Sequence, residues 1–92
     1  MWIQAKDNKW DKRLKSCKNE NEINLLMLNS GTETVSERVI LKTREIVFRP
    51  AVGKFTIIGI EENDDFVYKN IEEAKNKGVE LRNLIKGQIN EH

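Results

Sequence analysis

The sequence contains one cysteine, one histidine and one proline, and the first two scarcities exclude whole classes of site. A lone Cys17 cannot form a disulfide framework, and its neighbours show no zinc-binding or redox spacing. The only histidine, His92, is the final residue, a poor position for holding a catalytic base rigidly. We therefore expect no Ser–His or Cys–His catalysis, no metal site and no cofactor.

Long apolar runs are also missing. Nothing in the sequence approaches the roughly 20 apolar residues of a membrane span, and the apolar start, residues 1–6, is too short for a signal peptide. Together with the single cysteine, these absences predict a reduced, cytoplasmic protein without a membrane partner.

Neither sign of charge predominates, because 16 basic and 15 acidic side chains nearly cancel. Their distribution is uneven: residues 1–18 hold six basic and two acidic side chains, whereas residues 61–92 hold eight acidic and five basic. A near-neutral total weakens the case for nucleic-acid binding, but the basic start leaves a local patch that could support it.

The densest acidic run lacks the glycine and the distal glutamate of a calcium loop, and it reads as a solvated turn; its members are Glu61, Glu62, Asp64 and Asp65. The glycines Gly53 and Gly59 are isolated and are not followed directly by a helix, so no phosphate-binding loop is predicted. We expect a protein that is not an enzyme.

The last third of the sequence predicts the architecture. Phe55–Glu62 is apolar on both faces, which is typical of a central strand, and Phe66–Tyr68 could add a short strand. Asn70 is a good N-cap for a helix whose apolar or small residues recur every three or four positions: Ile71, Ala74, Gly78, Leu81 and Ile85. Gly78 would let this helix approach the sheet closely.

The first third is predicted to be extended. Met1–Ala5 and Trp10–Leu14 would form a hairpin, although a short helical turn competes for the second piece. Ser16–Glu22 reads as a loop. Periodicity cannot separate strand from buried helix in Ile23–Asn29, and its short length favours a strand, with Thr32–Val35 as a possible partner.

The middle third is rich in β-branched residues. Arg38–Arg49 predicts two strands with a turn near Lys42–Glu45, or one long bent strand, and Pro50 with Gly53 predicts a break. The expectation is a single α+β domain over residues 1–92. It would have an antiparallel sheet of about five strands, with one C-terminal helix packed on one face.

A basic, tryptophan-containing surface is the one candidate site. The predicted first hairpin would gather two aromatic rings for stacking and several cations for phosphates: Trp2, Lys9, Trp10, Lys12, Arg13 and Lys15. Arg38, Lys42 and Arg44 could extend the patch. The competing interpretation is that both tryptophans are core anchors and the lysines are merely solvated.

The opening residues, Met1-Trp2-Ile3-Gln4-Ala5-Lys6-Asp7-Asn8-Lys9, resemble those of small uncharacterised proteins of low-GC Gram-positive bacteria and their phages or mobile elements. In that group a strand leads into an alanine-containing helix at the other end, here Phe55–Ile60, Phe66–Tyr68 and Ile71–Ala74. The resemblance implies a phage or prophage accessory protein, a class that includes small inhibitors of host defence systems.

The functional expectation is a non-enzymatic binding protein that occupies a surface on another protein, as an inhibitor or regulator does. The uncovered sheet face would also allow a homodimer. The alternative is a nucleic-acid-binding module that uses the basic N-terminal hairpin.

Overall fold

A computed structural model describes residues 1–89 of the chain. The elements in order are β1 (Trp2–Ala5), α1 (Asn8–Lys15), α2 (Glu20–Asn29), β2 (Val35–Ile40), β3 (Glu45–Val52), β4 (Phe55–Gly59) and α3 (Ile71–Ile89). The strands form one antiparallel sheet in the order β1-β4-β3-β2. The α+β class and the C-terminal helix are confirmed, but the sheet has four strands rather than about five, and two further helices, α1 and α2, lie between β1 and β2.

The predicted strand at Trp10–Leu14 is wrong, because this stretch belongs to α1. The Asp7 carboxylate accepts a hydrogen bond from the Trp10 backbone N–H at 3.1 Å and caps the helix. Asp11 and Lys15 form an ion pair at 3.0 Å one turn apart. Trp10 and Leu14, also one turn apart, both pack against the core. The predicted first hairpin is therefore absent, and β1 pairs with β4 instead.

The predicted strand at Ile23–Asn29 is also wrong, because it lies in α2. The Asn19 side chain accepts a hydrogen bond from the Glu22 backbone N–H at 2.9 Å, and the Glu22 carboxylate accepts one from the Lys18 N–H. This reciprocal arrangement at the helix start satisfies N–H groups that would otherwise lack partners. The predicted loop Ser16–Glu22 is shortened accordingly.

The hairpin in the middle of the chain is confirmed. Val39 lies opposite Ile46, and Ile40 lies opposite Glu45, with the turn at residues 41–44. Arg44 takes a positive φ of 55° in this turn. Of the predicted partner segment Thr32–Val35, only the last residue belongs to β2.

Pro50 does not break the chain as predicted but lies inside β3. Successive residues of a strand direct their N–H groups to opposite edges. The Ala51 N–H bonds Thr34 on the β2 side and the Phe48 N–H bonds Tyr68 on the other, so Pro50 presents its missing N–H away from β2. On that side, β3 pairs with β4 over only two residue pairs and the pairing has ended before Pro50. The chain reverses between the two strands at Gly53, whose φ is 64°.

The segment after β4 fills the gap that Pro50 leaves. The Phe66 N–H donates to the Ile58 carbonyl at 2.7 Å, and Tyr68 exchanges two backbone hydrogen bonds with Phe48. The predicted short strand Phe66–Tyr68 is thus a single bridge to β3. In the sheet, β4 lies between β1 and β3, in agreement with the prediction that it is a central strand.

All three helices pack on one face of the sheet. Strand residues Val52, Phe55 and Ile57 form a single buried cluster with helix residues Met27, Leu81 and Ile85. Of the predicted stripe on α3, Ala74, Gly78, Leu81 and Ile85 are buried, whereas Ile71 is exposed. The strand pairing places Gln4, Thr56, Arg49 and Ser36 on the opposite face, which carries no helix among residues 1–89.

Two local contacts position α3. The Asn70 side chain accepts a hydrogen bond from the Glu72 N–H at 2.8 Å, as expected for its predicted N-cap role. A methyl group on Gly78 would overlap the Thr34 carbonyl oxygen and lie 3.0 Å from that of Ala51, so glycine is what permits this close approach. Within residues 1–89, no helix has both the length and the apolar character that crossing a bilayer demands.

Candidate binding surfaces

Trp2 lies on a strand as predicted, whereas the other N-terminal candidate residues lie on α1. Trp10 sits on α1 with its ring edge-on to Phe55, at 6.1 Å between centroids and 76° between planes. Its own helix places Arg13 4.6 Å and Lys9 5.7 Å from the ring centroid. Trp10 is therefore half-buried between the core and two cations, an arrangement that leaves little ring surface for a stacked base.

The other members of that candidate site are spread out. Lys12 is exposed on α1, and Lys15 is paired with Asp11. Trp2 is 52% exposed and lines a groove of about 570 Å³ with Ile3, Leu14 and Met27, to which Trp10 does not contribute. Trp2 and Trp10 thus do not both line this groove.

The acidic turn has structural roles. Asp64 accepts hydrogen bonds from the Ile60 and Glu61 N–H groups at 3.1 and 2.7 Å, and Asp65 pairs with Arg49 at 2.9 Å. No cluster of three or more metal-binding side chains occurs among the residues that the structure describes. Cys17 donates a weak hydrogen bond to the Arg13 carbonyl, and His92 lies outside the described residues.

The most exposed apolar surface is the end of the β2–β3 hairpin, which we call the apolar tip. Leu41 is 89% exposed, Val39 and Ile46 are 49% exposed, and Ile40 is 40% exposed. Val39 and Ile46 are cross-strand partners on one face, and Ile40 lies on the other. Apolar side chains therefore point in several directions from one projection, and an exposed apolar patch of this kind is typical of an interaction site.

The apolar tip is exposed because the helices stop short of it. The close approach of α3 to the sheet at Gly78 meets Thr34 and Ala51, at the other end of the hairpin. The molecule is elongated, with extents of 44 × 26 × 25 Å. Nearer the body, Glu45 pairs with Lys69 at 3.1 Å and ties the base of the tip to the segment before α3.

The outer edge of β2 adds directional contacts beside the apolar tip. The bond from the Ala51 N–H to the Thr34 carbonyl shows that residue 34 bonds toward β3. Alternation then directs the backbone groups of Val35, Glu37 and Val39 outward, where no strand among residues 1–89 pairs with them. This edge can accept an added strand.

The apolar tip is not predictable from the sequence, although its strands are. The pattern of Val39, Leu41 and Ile46 indicates strand residues and locates the turn among them. Burial of these side chains depends on where the helices end over the sheet, and no pattern within residues 38–49 reports that. The helix starts at Asp7 and Asn19, by contrast, carry a readable signal in their capping side chains.

Comparison with known proteins found no matching family model, no matching curated protein and no matching solved structure. The function of this chain is therefore inferred from its own geometry.

Proposed function

We propose that this chain is a non-enzymatic binding protein that uses the apolar tip to occupy a surface on another protein, as an inhibitor or regulator would. The observation that carries the proposal is Leu41, 89% exposed at the end of a projecting hairpin with three apolar neighbours around it. Isolated exposed apolar residues are ordinary, but four of them on one projection are not.

Burial of the apolar tip alone does not supply enough free energy for stable binding. Fully burying a leucine or isoleucine contributes about 1.5–3 kcal/mol, so the four partly exposed side chains supply roughly 5 kcal/mol. Association costs at least about 4 kcal/mol in lost translational and rotational freedom. Additional contacts are therefore needed, and the outward backbone groups of Val35, Glu37 and Val39 supply them if the partner adds a strand to β2.

A different protein suits this edge better than a second copy does. When two identical antiparallel strands pair about a two-fold axis, the residue on the axis faces itself. The two registers that pair most of β2 are centred on Glu37 and on Arg38, and each sets like charges opposite one another. The charge pattern of β2 thus disfavours the homodimer.

The test is affinity capture from a cell lysate with quantitative mass spectrometry, comparing the wild-type chain with two variants. Leu41→Asp removes the most exposed side chain of the apolar tip, and Val79→Asp changes a residue of similar character on α3 that is 47% exposed. We expect Leu41→Asp to weaken capture of the specific partner by about 30-fold, the equivalent of about 2 kcal/mol. Val79→Asp should capture it normally.

The proposal is wrong if Leu41→Asp retains every protein that the wild-type chain retains. Light scattering after size-exclusion chromatography resolves the remaining alternative. A concentration-dependent dimer that Leu41→Asp abolishes would identify a second copy, rather than another protein, as the partner.

A further inference from the structure

The helix-free face of the sheet contains a cleft of about 460 Å³, which we call the basic cleft. Three basic side chains and two hydroxyl groups line it: Lys6, Arg38, Arg49, Ser36 and Thr56. One acidic residue, Glu37, also contributes to the lining, although strand alternation directs its side chain to the opposite face. It lies at the body end of the β2–β3 hairpin, away from the turn that carries the apolar tip.

Arg49 has an unmet hydrogen-bonding capacity at this cleft. Its side chain is only 12% exposed, and its Nη1 donates to Asp65 Oδ1 at 2.9 Å. Its Nε is buried without a partner among the described residues. A buried donor left unpaired is unfavourable. An acceptor from outside the chain reaches this nitrogen only if the Arg49 side chain shifts toward the cleft, and that shift would recover the missing hydrogen bond.

The other basic residues of the cleft also favour the binding of an acceptor. Arg38 is diagonal to Arg49 across the β2–β3 ladder, and neither Arg38 nor Lys6 has an ion-pair partner among residues 1–89. The nearby carboxylate of Glu33 is already paired with Lys54. Two guanidinium groups and an ammonium group therefore share one concave surface. The acidic groups beside them are Asp65, which is paired with Arg49, and Glu37, whose side chain alternates to the opposite face, so positive charge predominates in the cleft.

We propose that the basic cleft binds a phosphate group. Guanidinium forks match the paired oxygens of phosphate, and the Ser36 and Thr56 hydroxyls add donors that a tetrahedral anion can use. A carboxylate would offer two acceptor oxygens to this donor set, whereas a phosphate offers more. The phosphate could belong to a nucleic-acid backbone or to a free phosphorylated compound, and the cleft chemistry is the same for both. This site does not depend on the function proposed for the apolar tip.

The experiment follows the Arg49 side-chain Nε–H signal by two-dimensional nitrogen–proton NMR during titration. One arm uses inorganic phosphate and the other uses a short single-stranded oligothymidine at low salt. We expect saturable movement of the Arg49 signal in at least one arm. Arg38→Gln changes an exposed side chain and should weaken binding by about tenfold, whereas Arg44→Gln, in the hairpin turn outside the cleft lining, should leave it unchanged.

Comparing the two titrations distinguishes a nucleic-acid backbone from a free phosphorylated compound as the ligand. If a nucleic-acid backbone is the ligand, the oligothymidine binds more tightly than phosphate, and log K falls with log salt at a slope of about −2, as neutralisation by three cations predicts. If a free phosphate is the ligand, the two probes bind alike at each phosphate group. Absence of saturable movement in both arms, or equal weakening by Arg38→Gln and Arg44→Gln, would overturn the proposal. Arg49→Gln, with its folding checked by backbone signal dispersion, should abolish binding.

Discussion

Substituting Gly78 by alanine tests the closeness of α3 to the sheet. In an exposed helix, replacing glycine by alanine stabilises by about 1 kcal/mol through helix propensity. At Gly78 the added methyl group would overlap the Thr34 carbonyl oxygen and crowd that of Ala51, both backbone atoms that cannot rotate away. The helix would have to move off the sheet and loosen the packing of Leu81.

The net effect is the balance of these opposing terms. Overpacking of this kind costs about 1–3 kcal/mol, and more where backbone atoms clash. Subtracting the propensity gain of about 1 kcal/mol leaves about 0–2 kcal/mol. Because both crowding atoms belong to the backbone, we expect Gly78→Ala to lower the free energy of unfolding by about 2 kcal/mol, the upper end of that range. For a domain of this size, each kcal/mol corresponds to about 4–8 °C in Tm.

Gly87 provides a matched control on the same helix. It is exposed, and an added methyl group there meets nothing within 4 Å, so Gly87→Ala should raise stability by up to about 1 kcal/mol. Urea unfolding followed by tryptophan fluorescence suits both variants, because Trp10 packs against Phe55 in the core. If Gly78→Ala matches or exceeds the stability of Gly87→Ala, α3 does not lie against Thr34 and Ala51 as described.

Three further predictions concern stability. The hydrogen bond and ion pair from Lys54 hold the pKa of Glu33 below its usual value. Their contribution to the free energy of unfolding is therefore present at neutral pH and is lost as the pH falls through that lowered pKa. Glu33→Gln should flatten this part of the acid unfolding curve. Asn19→Ala should destabilise the chain by about 1 kcal/mol in urea unfolding through loss of the α2 cap, and Asn19→Asp should retain most of the stability. Arg82 donates to the carbonyls of Leu28 and Gly31 at the end of α2, so Arg82→Met should lower Tm, and an unchanged Tm would show that water satisfies those carbonyls equally well.

The wrong strand prediction at Ile23–Asn29 has a physical cause. Leu25–Leu28 is a continuous apolar run that fits a strand or a buried helix equally well, and its short length favours the strand. The structure forms a helix there because Asn19 and Glu22 satisfy its first N–H groups and Met27 reaches the core. The prediction at Pro50 is wrong for a different reason. A proline disrupts a strand only where its missing N–H would have had a hydrogen-bond acceptor, and at this position in β3 there is none.

The candidate sites are less predictable than the elements. A near-neutral chain with basic residues at its start points to Trp2 and Trp10, whose apparent adjacency depends on a hairpin that does not form. Arg38 and Arg49, eleven positions apart in sequence, become neighbours only through the register of β2 and β3. Sequence patterns describe the residues of a single element, whereas a binding cleft is assembled from several.

Local order, then, was determined by the amino-acid sequence. The spacing of Ala74, Gly78, Leu81 and Ile85 specified one face of α3, and the apolar residues of β4 specified a central strand, because helix and strand periods are properties of the backbone. Only the tertiary structure decided which side chains remained outside. Burial depends on how far each helix extends over the sheet, so the exposure of Leu41 and the unpaired Nε of Arg49 arise from packing between elements distant in the chain.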